Sequence, residues 1–115
     1  MASLKMNQPT NLLEAIEILE NILDKELISE IKRISENEMI RFHSGLGRQL
    51  RNEWGLWKAD TELFKYFKDL GIWHADDMSG IILTSLYRKL NNNFIFLDEQ
   101  IEYYQQYWEN HKGEK

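Results

Sequence analysis

The chain has no cysteine and one proline among its 115 residues. The first absence excludes disulfides, thiolate chemistry and any zinc site built on sulfur. The lone proline, Pro9, stands just before the first helical pattern, where it marks a start rather than a break. Bases are the scarcer charge: 14 Lys and Arg stand against 19 Asp and Glu, a net charge of −5. Phosphate neutralisation needs the opposite balance, so no nucleic acid is expected as a partner. No apolar run approaches the ~20 residues of a membrane span. The polar opening Met1–Thr10 also lacks the apolar core of a secretory signal. These absences point to a soluble, cytoplasmic protein without membrane contact.

What is present suits a globular domain. Hydrophobic residues make up 43% of the chain and aromatics 12%, beside 29% charged residues, which is too apolar for a disordered segment. This length is that of one domain, able to bury roughly two-thirds of the surface its unfolded form exposes. The charges are unevenly spread. Between Asn11 and Ile31 six acids face Lys25 alone, whereas Lys32 to Lys58 holds six bases against Glu36, Glu38 and Glu53. Complementarity within the molecule accounts for such a pattern.

Helical periodicity runs through the sequence. Leu12, Ile16, Leu19 and Leu23 recur at steps of four, three and four after a candidate cap at Thr10. Asp24 caps a second pattern of Leu27, Ile28, Ile31 and Ile34, close enough to the first to suggest an antiparallel pair. Ser35-Glu36-Asn37-Glu38 is a capping box, opening a third helix that carries Met39, Phe42, Leu46, Leu50 and Trp54. Gly45 and Gly47 fall inside it at ~1 kcal/mol each relative to alanine, so close packing or a bend must favour them. Gly55 stops this helix; Asp60 caps a fourth with Leu63, Phe64, Phe67 and Leu70, ended by Gly71. A fifth spans Ala75 to Leu90, and Asp98 caps a last one with Ile101, Tyr104 and Trp108 on one side. The expected fold is all-α: a compact bundle of five or six short helices forming one domain over residues 1–115. Residues 1–9 and 111–115 are expected to fray.

Three segments invite a functional reading. His43 lies in the apolar stripe of the third helix, with Arg51 at its edge and Arg48 and Asn52 pointing away. A core imidazole explains His43 and solvated bases explain the arginines, but together they can also line a ligand pocket. His74, Asp76 and Asp77 place two carboxylates beside a histidine, yet both acids fall in a first helical turn, where they favour the dipole. No metal or cofactor is expected there. Tyr103, Tyr104, Tyr107 and Trp108 give the last helix more aromatic surface than a small bundle must cover, beside Asp98, Glu99, Glu102 and Glu109.

The blocks Gly45-Leu46-Gly47, Leu50-Arg51-Asn52 and Trp54-Gly55-Leu56-Trp57, followed by His74 to Gly80 and Ile81-Ile82, resemble a family of short bacterial proteins with a domain of unknown function. Its pattern reads approximately RFHfGLGxxIRNxWGLW, then HPDDMSGIIL, and the likeness runs from about Asn11 to Leu90. Ala75 stands where the family has proline. The resemblance implies a bacterial or phage origin and a helical fold, and it carries no catalytic residues across. No catalytic set converges in the sequence, and the leading expectation is a non-enzymatic protein-binding module of the immunity or inhibitor kind. Its anchors would be Arg48, Arg51, Asn52, Trp57, Tyr103 and Tyr107 on another protein, or on a second copy in a homodimer. The alternative is a small-ligand or enzymatic site where His43, Arg48, Arg51 and Asn52 meet His74, Asp76 and Asp77.

Overall fold

The spacing of Leu12, Ile16 and Leu19 forms a helix, α1 (Leu12–Ile22), which buries those side chains together with Ala15. The computed structural model that shows this describes residues 4–112; of the ends expected to fray, 1–9 and 111–115, the parts 1–3 and 113–115 lie outside the described residues. Asn11 rather than Thr10 caps α1, its side chain accepting from the Glu14 amide at 2.9 Å. Thr10 donates from both its amide and its hydroxyl to Glu14 Oε1, which holds that carboxyl below its usual range. Residues 4–9 lie against the segment that ends at Trp54. The Trp54 indole donates to the Leu4 carbonyl at 2.9 Å, Gln8 donates to the Glu53 carbonyl at 2.9 Å, and Pro9 is buried.

Helix α2 (Lys25–Arg33) begins after Asp24 and buries Ile31, with Leu27 and Ile34 partly covered. The short connection suggests that α1 and α2 pair with each other, but each finds its main contact in α5 (Ala75–Leu90). The reason lies in α5 itself. It buries Ala75, Met78, Ser79, Ile81, Ile82, Leu83, Ser85 and Leu86, side chains pointing around much of its circumference. A helix apolar on several sides must be central. Its first residue, Ala75, follows an extended His74 and is the position where proline is tolerated in a helix.

The largest departure from the sequence pattern is the third helix. Instead of one α-helix, the chain forms a 3-10 run (Glu36–Phe42), a single wide π turn (His43–Gly47) and then α3 (Arg48–Glu53). The capping box is in place, with the Ser35 amide donating to Glu38 Oε1 at 2.9 Å. Met39, Leu46, Leu50 and Trp54 are all buried, so the apolar stripe survives while the pitch changes beneath it. Gly47 shows why the pitch changes here. A Cβ on Gly47 would sit 3.0 Å from Arg51 Nη1 and 3.3 Å from the Phe42 carbonyl oxygen, whereas one on Gly45 would meet nothing within 4 Å.

Gly55, at φ +62°, ends this segment, and α4 (Glu62–Asp69) follows with Leu63 and Phe67 buried. Its cap is Thr61, whose hydroxyl accepts from the Phe64 amide at 3.2 Å, not Asp60. Gly71, at φ +88°, terminates α4 in the left-handed conformation its position predicts. Helix α5 ends in a Schellman turn: the amides of Asn93 and Asn92 donate to the carbonyls of Arg88 and Lys89 at 2.8 and 3.2 Å. Helix α6 (Leu97–Asn110) then packs chiefly on α5. The residue before it is Phe96, at φ 50° and ψ 55°, in place of the expected cap at Asp98. Among the described residues the fold is six α-helices without a strand, and no helix is long and apolar enough to cross a membrane.

The two central glycines should respond oppositely to alanine. Gly47→Ala is expected to lower unfolding stability by about 1–2 kcal/mol through crowding of Arg51 and the Phe42 carbonyl. Gly45→Ala should be neutral or stabilising by up to about 1 kcal/mol, because the turn has room and loses backbone entropy. Urea unfolding of the two variants checks the contrast.

Candidate functional site

Arg51 is the residue around which the central segment is arranged. Only 5% of it is exposed. Its Nη1 donates to Ser79 Oγ at 2.8 Å and its Nη2 to the His43 carbonyl at 3.2 Å. Nε lies 3.3 Å from Asp76 Oδ1 as an ion pair, though without hydrogen-bond alignment. Ser79 in turn donates to the Asp76 carbonyl at 3.1 Å. The Trp57 ring lies 6.0 Å from the guanidinium carbon. One cation thus links the π turn, α3 and the first turn of α5. Burying a guanidinium is costly unless its donors are met, and the widened turn is what brings the His43 carbonyl within reach.

Two clefts flank the α5–α6 junction. One, of about 370 Å³, lies between the 3-10 run and α5 and has His43, Asp76, Asp77 and Tyr104 on its walls. The other, of about 390 Å³, is lined by Trp73, His74, Asp77, Tyr104 and Trp108. Asp77 and Tyr104 belong to both and form the partition between them. The Trp108 indole donates to Asp77 Oδ2 at 2.8 Å, and its ring stacks on His74 with centroids 3.9 Å apart. Tyr104 rests against Gly80, where a Cβ would approach the phenol oxygen to 2.6 Å.

The electrostatics follow from burial. Desolvation pushes the Asp77 carboxyl above its ordinary value, against the Trp108 hydrogen bond and the charge of His74 and with the charge of Asp76. Burial, then the nearby charge of Asp77, pushes the Tyr104 phenol up to about 12. On the far side of the cleft, Arg88 donates twice to Glu36, at 2.8 and 2.9 Å, and holds that carboxyl below its usual range. Among the described residues no group of three or more His, Asp or Glu is placed to hold a metal ion.

The residues singled out in the sequence separate into three places. His43, Asp76 and Asp77 share one cleft, with Arg51 enclosed beneath it. His74 faces the other cleft. Arg48, Asn52 and Trp57 are exposed, and the Trp57 indole donates to Asn52 Oδ1 at 3.0 Å. Arg51 is not part of that surface, because its donors are turned inward. Tyr103 is 65% exposed and Tyr107 42% on the outer side of α6. Sequence reasoning missed Ser79, Tyr104 as a cleft wall, and Trp108 as the partner of Asp77. Ser79 follows Asp76 by three residues on a helix, a spacing that puts both on one face and that signalled the pairing.

An all-α domain whose two sequence blocks are joined through one buried arginine is the class that fold and site define. The chain belongs to the family of the domain of unknown function DUF6794, whose model matches residues 8–90. That span takes in α1 to α5 and leaves α6 outside. Neither the curated proteins nor the solved structures provide a match.

Two outcomes test the site. Arg51→Lys should cost about 2–3 kcal/mol in urea unfolding despite keeping the charge, since an ammonium cannot serve Ser79 and the His43 carbonyl together. A loss below about 0.5 kcal/mol would show that the fork geometry is irrelevant. The second concerns pH. An acid whose folded pKa is raised adds stability below its unfolded value and loses it as pH rises through the folded value. Asp77→Asn keeps an acceptor for the indole, so its stability relative to the native chain should increase as pH rises from about 3.8. Paired chemical denaturation at pH 3.5, 5 and 7 reads the difference.

Proposed function

We propose that the protein is a non-enzymatic protein-binding module whose contact face is the outer side of α6. The observation that carries this reading is the row formed by Phe96, Tyr103 and Tyr107, which are 54%, 65% and 42% exposed. Their spacing of seven and four residues sets them along one helical face about 16 Å long. Exposed aromatics of this density suit binding anchors. Glu99 and Glu102 line the same surface as Tyr103 and Tyr107, and no Lys or Arg among the described residues does. Two such faces would repel one another, so the homodimer through this face gives way to a basic partner protein. An immunity or inhibitor protein of bacterial or phage origin, acting in the cytoplasm, has this chemistry. Arg48, Asn52 and Trp57 are a second exposed group, with Arg48 its one base, that can touch the same partner.

A second reading is a small-ligand site in the cleft that His43, Asp76 and Asp77 share. Its volume falls in the range of ligand sites. Its acids are already engaged, however: Asp76 by Arg51, Glu36 by Arg88 and Asp77 by Trp108. That leaves little unspent charge for a ligand, and the binding-face reading is preferred.

The test is capture from the native host with the full chain and with Tyr103→Ser/Tyr107→Ser. A basic partner in stoichiometric amount, lost at least tenfold with the double variant and weakened by salt, is the expected result. Failure to capture a stoichiometric partner, or capture that the variant leaves unchanged, contradicts the reading.

A further inference from the structure

Helix α6 is held by apolar side chains, Leu97 and Ile101 among them, and by polar side chains that fit into the 8–90 body. Gln100, itself 7% exposed, donates to Ser85 Oγ at 3.1 Å. Tyr104 fills the notch left by Gly80, and Gln105 occupies the corresponding space over Gly71. Trp108 reaches Asp77. The receiving residues run from Gly71 to Arg88, so the body carries a preformed groove for a helix bearing Gln, Tyr and Trp four residues apart.

The connection to that helix holds one strained residue. Asn92, at φ 58°, is the left-handed residue of the Schellman turn that closes α5, whereas Phe96, at φ 50°, is a bulky aromatic in the same region and is strained there. Phe94 and Phe96 are 79% and 54% exposed and meet edge to face, with ring centroids 5.8 Å apart. Extended, the six residues from Asn91 to Phe96 span about 20 Å, enough to reach a neighbouring molecule.

We propose that α6 is exchangeable: the groove of one copy accepts the α6 of a second copy, giving a closed reciprocal dimer. Every contact of α6 with the body is reproduced between copies, so the groove needs no new chemistry. Straightening the residues after the Schellman turn releases Phe96 from the left-handed region and brings the four exposed hinge phenylalanines of the pair together, which offsets the loss of the Arg88 contact to the Ile95 carbonyl. The outer face of α6, with its acids, stays on the outside. This inference concerns the inner face and stands apart from the proposed partner surface.

The experiment uses the full chain and a variant lacking Asn91–Asn93, whose shortened hinge hinders folding back. Light scattering gives the mass, relative to the 13.8 kDa monomer. Because the chain has no cysteine, Asp77→Cys/Trp108→Cys, a pair lining the open cleft between α5 and α6 and joined by a short bismaleimide, reports which chain supplies α6. The expected result is a dimer for the shortened hinge, cross-linked between chains, and a monomer–dimer equilibrium for the native hinge. Phe96→Gly, which relaxes the hinge, should shift that equilibrium at least tenfold toward monomer. A shortened chain that stays monomeric, a dimer whose cross-links remain within single chains, or open-ended oligomers would overturn the proposal.

Discussion

The fold depends on one buried cation. Arg51 joins a carbonyl of the π turn, a hydroxyl of α5 and a carboxylate at the start of α5, and these groups come from the two blocks that mark the sequence. Removing such a charge from water is unfavourable, and the protein offsets it with a fork of donors that meets fixed acceptors. Everything nearby follows from that requirement. Gly47 has no side chain because the guanidinium passes beside it, and the turn widens because the His43 carbonyl must turn toward Nη2. Ser79 is buried as a link rather than exposed as a nucleophile, since it both accepts from Arg51 and donates to the Asp76 carbonyl.

With that joint closed, α5 becomes the axis against which α1, α2 and α6 pack. The 3-10 run and α5 leave a cleft between them, closed at one end by Asp77 and Tyr104. Arg88 repeats the arrangement at the other end of α5. Its two donors to Glu36 fix the 3-10 run, and its third contact, 2.6 Å to the Ile95 carbonyl, fixes the hinge before α6. Two arginines at opposite ends of one helix therefore set where the irregular segment and the last helix lie. Helix α6 covers part of the family domain with its inner face and offers aromatics and acids on its outer face.

The sequence reveals the fold through its apolar spacing. Leu12, Ile16 and Leu19, the run of α5, and the stops at Gly55 and Gly71 all follow from periodicity and from the conformations glycine allows. Pitch is different. Met39, Leu46, Leu50 and Trp54 read as one α-helix because their burial is the same whether the turns between them are narrow or wide. Only the unmet donors of Arg51 distinguish the two, and a one-dimensional pattern does not show where a guanidinium points. The pairing of α1 with α2 failed for a similar reason: adjacency along the chain is outweighed by the all-round apolar surface of α5. Among the site residues, His43, Asp76 and Asp77 were legible as a group. Tyr104 was not, because its role depends on the notch at Gly80, twenty-four positions away and on another helix.

The most direct test of this account is a double-mutant cycle between Arg51→Met and Ser79→Ala, read by urea unfolding. If the guanidinium is held by that hydroxyl, the two losses will not add, and the coupling will be about 1–2 kcal/mol. Additive losses, with coupling below about 0.3 kcal/mol, would mean that the two blocks are joined by apolar packing alone and that Arg51 is a passenger.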